Sequence, residues 1–276
     1  MSLFTKNVHY KGPLRLSAWR KVAIGTWRTV GDPSVYSMMD IDVGPAVAYM
    51  DKLKNELGVK ITLTHFIGKL MADTLGRHPD INCVLRFGRL YQRKTVDVFY
   101  QIASDDTGKD LSGTVIREAE HKSLPEIARE LSLAAREIRE KGDPGFKKMK
   151  ATMGGLPGFL SRYVLDFAGF MLYTLNLWSP LLGAPRDSFG SLMVTSVGSL
   201  GIDSAFAPLV PYSRCPLLIT VGAVRDMPVV VDGQIVIRPM VRLCATFDHR
   251  LIDGMHASHM VRTMMKIFKN PEAELK

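Results

Sequence analysis

Cysteine is scarce in this chain of 276 residues: Cys83, Cys215 and Cys244 lie far apart, are odd in number and form no CxxC. Such usage implies no disulfide framework, and it predicts buried thiols in a reducing compartment. Acidic residues are also short, 27 Asp+Glu against 36 Lys+Arg, a formal net charge of +9. The imbalance sits in residues 1–150, with 25 basic and 18 acidic side chains. A basic surface attracts nucleic acid, anionic lipid or phosphorylated small molecules, and composition does not choose among them. No GxGxxG follows a strand, and neither a Walker GxxxxGK[ST] nor a GxSxG occurs, which argues against dehydrogenase, NTPase and hydrolase readings. No apolar signal segment opens the sequence, so cytoplasmic residence is the expectation. Repeats and Ser/Gly- or Ala/Pro-rich linkers are lacking too. At 46% hydrophobic and 23% charged residues the composition is that of a globular protein, not a disordered, coiled-coil, collagenous or polytopic membrane chain.

Helices dominate the first half. A first helix is expected over 14–28 and a strand over Val35–Asp42. Asp42 then caps a helix from about Pro45 to Leu57, stopped by Gly58. Thr64 is the expected N-cap of the next helix, with Phe66, Ile67, Leu70, Met71 and Leu75 at helical spacing before His78-Pro79. Val84–Tyr91, interrupted by Gly88, and Thr95–Ala103 read as strands. Ser123-Leu124-Pro125-Glu126 is a capping-box start for a helix that ends near Gly142.

Strands dominate the second half. Ser191–Val197 and Leu217–Val224 are expected strands, and Asp232-Gly233 between two valine- and isoleucine-rich runs signals a type I′ hairpin. Val241–Phe247 alternates, with Val241, Leu243, Ala245 and Phe247 on one face. A last helix carries Ala257, Met260, Val261, Met264, Ile267 and Phe268 on its buried stripe. This order predicts an α+β fold with a mixed sheet.

The chemistry concentrates in Phe247-Asp248-His249-Arg250-Leu251-Ile252-Asp253-Gly254. A histidine leaves a strand end, and Asp-Gly opens a helix. Imidazole takes a proton at neutral pH, which suits His249 to a general base. Asp253 either bonds the histidine, pins the loop through an arginine, or simply caps the helix. Asp248 is a further candidate support. His256 and His259 raise the question of zinc, but three or four converging ligands are needed and no metal is expected. The basic runs Arg86/Arg89/Arg93/Lys94 and 136–150 lack interleaved aromatics, so a solvated face or attraction of phosphates is expected rather than nucleic-acid binding.

Asp248–Gly254 resembles the DHRxxDG motif of the catalytic domain of 2-oxoacid dehydrogenase acyltransferases, whose HxxxDG core is shared with chloramphenicol acetyltransferase. Pro228–Met240 resembles the hairpin before that motif, and Val194-Thr195-Ser196-Val197-Gly198 resembles the family's T-I-S-N-L-G strand. Arg20-Lys21-Val22-Ala23-Ile24, Gly58–Thr62 and His78–Asn82 are similar to further family segments, so the resemblance spans about 14–145 and 188–274. It implies a two-layer α+β sandwich of the chloramphenicol acetyltransferase type and transfer of an acyl group between coenzyme A and a thiol. It assigns His249 as base, Thr195 (or Ser196) as oxyanion donor, and Asp253 as a loop anchor paired with Arg20. It also implies a homotrimer with active sites between subunits, cages in some members, and dehydrogenase partners.

Three departures accompany the resemblance. The catalytic segment starts at about residue 14 with no lipoyl or subunit-binding segment before it in this sequence, so the expectation is that a lipoyl-linked substrate, if used, comes from another chain, or that another acyl acceptor serves. Asp110–Ile116 stands where the family has G-L-x-V-P. A single acyltransferase domain over 1–276 would carry an apolar insertion at about 150–187. Within it, Phe167–Gly183 is uncharged for 17 residues, the lower limit of a membrane span. Arg162, Asp166 and Pro180 argue against spanning. The segment is instead a helix buried in the core or in a subunit contact, an interfacial anchor beside the basic 136–150 run on an anionic membrane, or a wall for a long acyl chain. Two rival readings stay open: a non-catalytic scaffold and a membrane-associated long-chain acyltransferase.

Overall fold

Strand propensity and strict alternation build the centre of the molecule. In a computed structural model that describes residues 5–18, 21, 33–103, 111–142, 155, 157–180 and 185–275, six strands form one mixed sheet in the order β3-β11-β10-β9-β6-β7. They are β3 (Ser34–Asp42), β6 (Val98–Ala103), β7 (Leu111–Ile116), β9 (Leu192–Ser196), β10 (Leu217–Val231) and β11 (Gln234–Asp248). β9 runs parallel to both β6 and β10; the other neighbours are antiparallel. The Asp232-Gly233 turn has the positive φ at both residues that a type I′ hairpin needs, and it joins β10 and β11 into one long ribbon.

Helices cover one face of this sheet. They are α1 (Gly44–Leu57), α2 (Leu63–Arg77), α3 (Leu124–Lys141) and α5 (Gly254–Lys269). Val241, Leu243 and Phe247 meet Phe66, Leu70, Met264 and Phe268 in the main core. Each such side chain contributes about 1.5–3 kcal/mol by leaving water. Close approach depends on Gly68, because a Cβ there would lie 1.7 Å from the Tyr100 hydroxyl. On the opposite face, Phe99, Met193 and Leu218 pack with Phe189 and Cys215 in a second, smaller core. All three cysteines are free thiols and buried.

Several local expectations shift. Of the expected first helix, 14–17 is not helical, with the Leu14 amide donating to the Leu90 carbonyl at 3.0 Å, and 19–20 and 22–28 lie outside the described residues. Val43, not Asp42, is the N-cap of α1; the Asp42 carboxylate instead accepts the Gly44 amide at 2.8 Å. Thr62, not Thr64, caps α2, because His65 completes a capping box with it. Gly58 ends α1 in the left-handed conformation, as expected. Ser123 and Glu126 close the start of α3 through two hydrogen bonds of 2.7 and 2.6 Å. The segment Val84–Tyr91 breaks at Gly88, as expected. Phe87 and Gly88 both take positive φ and fold it into a hairpin, β4 (Cys83–Arg86) and β5 (Arg89–Arg93). With β2 (Tyr10–Pro13) these form a three-stranded sheet. Val261 is exposed rather than part of the α5 core stripe.

The apolar insertion does not form one helix. Gly158–Gly169 is α4, Phe170–Thr174 a π-turn, and Leu177–Trp178 a short strand, β8, paired with β1 (Thr5–Lys6). Leu172 and Tyr173 are buried with Val8 and Val84, whereas Phe159, Tyr163 and Phe167 of α4 are exposed. Among the described residues, no helix is long and apolar enough to cross a membrane.

Candidate active site

β11 ends in a turn that is tied at nearly every residue. The Asp248 amide donates to the Pro216 carbonyl at 2.9 Å, and the Asp248 carbonyl accepts the amides of Leu251 and Ile252 at 3.0 Å each. Its carboxylate accepts the Arg250 amide at 2.9 Å and grips the Arg250 guanidinium, Nη2 to Oδ2 at 2.6 Å and Nε to Oδ1 at 3.0 Å. Leu251 and Ile252 are buried and anchor the turn in the core. His249 is thereby held between two fixed neighbours, with its amide donating to the Pro33 carbonyl at 2.9 Å. Its ring is half-buried, 6.5 Å from the Phe247 ring. A rigid mount of this kind is what a positioned base requires.

Beside the turn lies a cavity of about 110 Å³, bounded by Pro33, Ser34, Val210, Arg214, Cys215 and both chain neighbours of His249. Arg214 and Arg250 make its rim basic. Burial, with the nearby Arg250 charge, lowers the Arg214 pKa. Cys215 is a poor nucleophile here, since burial pushes its thiol up to about 12.

The hydroxyls expected to work with His249 are elsewhere. Register places Thr195 opposite Thr220, which faces Cys244, five residues before His249. That is about 17 Å along the strands and about 10 Å across them. Thr195 and Ser196 also point to opposite faces, Ser196 sharing the helix-covered face with Val194. The strand end beyond them is crowded: a Cβ at Gly222 would lie 2.0 Å from the Asp203 carbonyl oxygen, so the β10 bulge there requires glycine. Within one chain, neither hydroxyl is within hydrogen-bond reach of His249.

Asp253 is the N-cap of α5, accepting the amides of Met255 and His256 at 3.1 and 3.0 Å. Its partner is His256, whose Nδ1 lies 2.7 Å from Asp253 Oδ1, with Nε2 3.4 Å from Asp80. Arg20, the expected partner of Asp253, lies outside the described residues. His259 stacks on His78 at 6.0 Å. His256 is therefore used in capping, while His259 stacks on His78 and remains exposed to solvent. Among the described residues no group of three or more His, Cys, Asp or Glu side chains is placed to hold a metal.

The first basic run is only half the solvated face expected of it: Arg89 and Lys94 are exposed, Arg86 and Arg93 are not. Arg86 lies over the rings of Tyr10 and Tyr91, 4.8 Å from each, and Arg93 is buried in an ion pair with Asp187. Sequence reading also missed the histidine-closed caps. Their signal is present as Thr62-x-x-His65 and Asp253-x-x-His256, a capping-box spacing with His in place of Glu.

The six-stranded mixed sheet with helices on one face defines the class. A solved chloramphenicol acetyltransferase superposes with a TM-score of 0.53 at 15% identity, covering 90% of this chain and 94% of that one. Dihydrolipoamide acetyltransferase of Azotobacter vinelandii superposes at 0.64 with 21% identity, covering 88% and 84%. At these identities the likeness establishes the fold. The family model "2-oxoacid dehydrogenases acyltransferase (catalytic domain)" matches residues 25–143 and 187–275, and the chain belongs to this family. A curated relative, the lipoamide acyltransferase component of the branched-chain alpha-keto acid dehydrogenase complex of Bacillus subtilis, is 26% identical over 243 residues, 86% of this chain and 47% of the relative. The chain spans about half the length of the curated relatives it matches.

Proposed function

We propose that this chain is an acyltransferase catalytic unit that moves an acyl group between coenzyme A and a thiol of the dihydrolipoyl type. The observation that carries the reading is a histidine fixed at the end of a central strand, beside a basic-rimmed cavity, in a chain of this family. The Azotobacter enzyme supports it, since a serine, a histidine and an asparagine were studied for its mechanism, the last two spaced four apart like His249 and Asp253.

His249 removes the thiol proton as sulfur attacks the thioester carbonyl. A free thiol has a pKa of about 8.5, so at neutral pH little of it is thiolate without a base. The tetrahedral intermediate places negative charge on oxygen, and a hydroxyl donor there is worth about 10²–10³ in rate. Collapse expels the second thiolate, which recovers the proton from the imidazolium. Thr195 is the assigned donor, with Ser196 second, and it comes from a neighbouring copy because its own His249 is out of reach. Asp253 and the Asp248–Arg250 pair hold the loop. Arg214 and Arg250 face the coenzyme A side. A homotrimer, able in some assemblies to build a larger cage, supplies the neighbour.

The test is turnover of an acyl-CoA panel with dihydrolipoamide. His249→Ala is expected to lose about 10²–10⁴ in kcat with unchanged folding. Mixing unfolded-and-refolded His249→Ala and Thr195→Ala chains restores activity in roughly a quarter of sites if these are shared between copies. No recovery sinks the shared site, and full activity of His249→Ala sinks the mechanism.

A second reading concerns the insertion. Phe159, Tyr163 and Phe167 recur at helical spacing on the exposed side of α4, a pattern suited to peripheral contact with an anionic membrane surface. Liposome flotation of the full chain against a Phe159/Phe167→Ser variant separates this from a protein contact.

A further inference from the structure

A second charged site lies where the N-terminal segment, β5 and the end of the insertion meet. Asn7, His9, Arg93, Lys94, Arg117 and Arg186 surround a cleft of about 280 Å³, together with Asp97 and Asp187. Its four fixed cations face two carboxylates. Both carboxylates are already engaged: Asp187 takes the Arg93 fork, and Asp97 accepts Arg117 Nη1 at 2.8 Å. Lys94 and Arg186 remain as surplus positive charge. Arg93 is 3% exposed, and among the described residues its Nε has no hydrogen-bond partner.

His9 reports the field in this cleft. The Arg186 guanidinium lies 2.6 Å from His9 Nε2. Guanidinium only donates, so this ring nitrogen is the acceptor and carries no proton. Burial, then the charges of Arg186, Lys94 and Lys6, lower the His9 pKa. The remaining charged groups around the cleft are Arg93 and Arg117 with Asp97 and Asp187. A neutral histidine pressed against surplus cations is the arrangement an incoming polyanion would relieve.

We propose that this cleft binds a phosphate group, with Lys94, Arg186 and Arg93 Nε as donors. Several donors and unbalanced positive charge suit a multiply charged tetrahedral oxyanion better than a carboxylate, which one guanidinium fork satisfies. The cleft opens at the same end of the sheet as His249, since Asp97 precedes β6 and Val98 pairs with Leu192 at the start of β9. Three strand spacings, about 14 Å, separate β6 from β11. The phosphate source is therefore either the free anion or the phosphates of a coenzyme A whose thiol end reaches the His249 turn. The site stands on its own geometry and does not depend on acyl transfer, which the turnover assay tests separately.

Titrating the full chain with inorganic phosphate while following the His9 ring by NMR tests it. Phosphate is expected to shift the His9 signals and raise their titration midpoint, leaving the ring of His249 unmoved. Lys94→Ala and Arg186→Ala should each weaken binding at least about tenfold. Among the described residues the exposed Lys94 side chain makes no hydrogen bond, and its amide bond to the His9 carbonyl survives truncation to Ala, so its variant keeps the test open if Arg186→Ala fails to fold. Competition by coenzyme A but not by pantetheine identifies the coenzyme as the source, and lack of competition identifies free phosphate. A His9 ring indifferent to phosphate, or binding unchanged in Lys94→Ala, overturns the proposal.

Discussion

Two ion pairs hold the same end of the molecule in opposite ways. Asp248 and Arg250, two residues apart, close the His249 turn from within. Arg93 and Asp187, 94 residues apart, fasten the end of the insertion to β5. The contrast extends to their surroundings. Around the first pair the hydrogen bonds are mostly between near neighbours, and Arg250 keeps contact with solvent. Around the second, the Asp187 amide donates to Asn7 Oδ1, Asn7 Nδ2 donates to the Leu172 carbonyl, and Asn176 exchanges two bonds with the Val8 backbone. A local closure tolerates loss of one member because water replaces it. A buried long-range closure does not, since the remaining charge is stranded away from water.

The largest expected effect follows directly. Asp187→Ala should cost about 3–5 kcal/mol by leaving Arg93 buried and unpaired, read from urea unfolding. Asp248→Ala should cost about 1 kcal/mol while slowing acyl transfer. Equal stability losses would break the comparison.

A middle-sized effect tests local closure at the start of α2. His65 Nδ1 accepts the Thr62 amide at 3.1 Å, so the ring is neutral there, and burial pushes its pKa down to about 4. An unfolded histidine titrates near 6.5, so the unfolded chain binds the proton first. Stability is full above about pH 6.5 and falls as pH drops toward 4, by up to roughly 3 kcal/mol. Unfolding free energies of the wild type and His65→Gln across this window check it; parallel curves would remove His65 as the cause. The smallest effect belongs to Asp253→Ala. Loss of its cap to α5 should cost about 1 kcal/mol, and Asp253→Asn should restore most of it. A much larger loss would show that Asp253 anchors more than its helix.

The same division governs what could be read without coordinates. Ser123-Leu124-Pro125-Glu126, Gly58 and Asp232-Gly233 encode their geometry in a few consecutive side chains, and each forms as read. Misreadings arise where a neighbour decides. Thr64 and Thr62 are equally good caps until the His65 ring selects Thr62. Phe87 carries no turn signal, yet pairing of β4 with β5 forces it to positive φ. Arg86 and Arg93 look like surface charges until Tyr10, Tyr91 and Asp187 arrive from remote parts of the chain.

The sequence by itself determined the α+β class, the DHRLIDG turn and the family, because alternation, caps and motif spacing are properties of short windows. Tertiary structure decided which charges are buried, that the insertion is a short helix and a π-turn rather than one long apolar helix, and that Thr195 lies far from its own His249. Those outcomes depend on strand order and register, which pair residues as distant in sequence as Ser34 and Asp248. Long-range pairing of this kind leaves no mark on the local pattern.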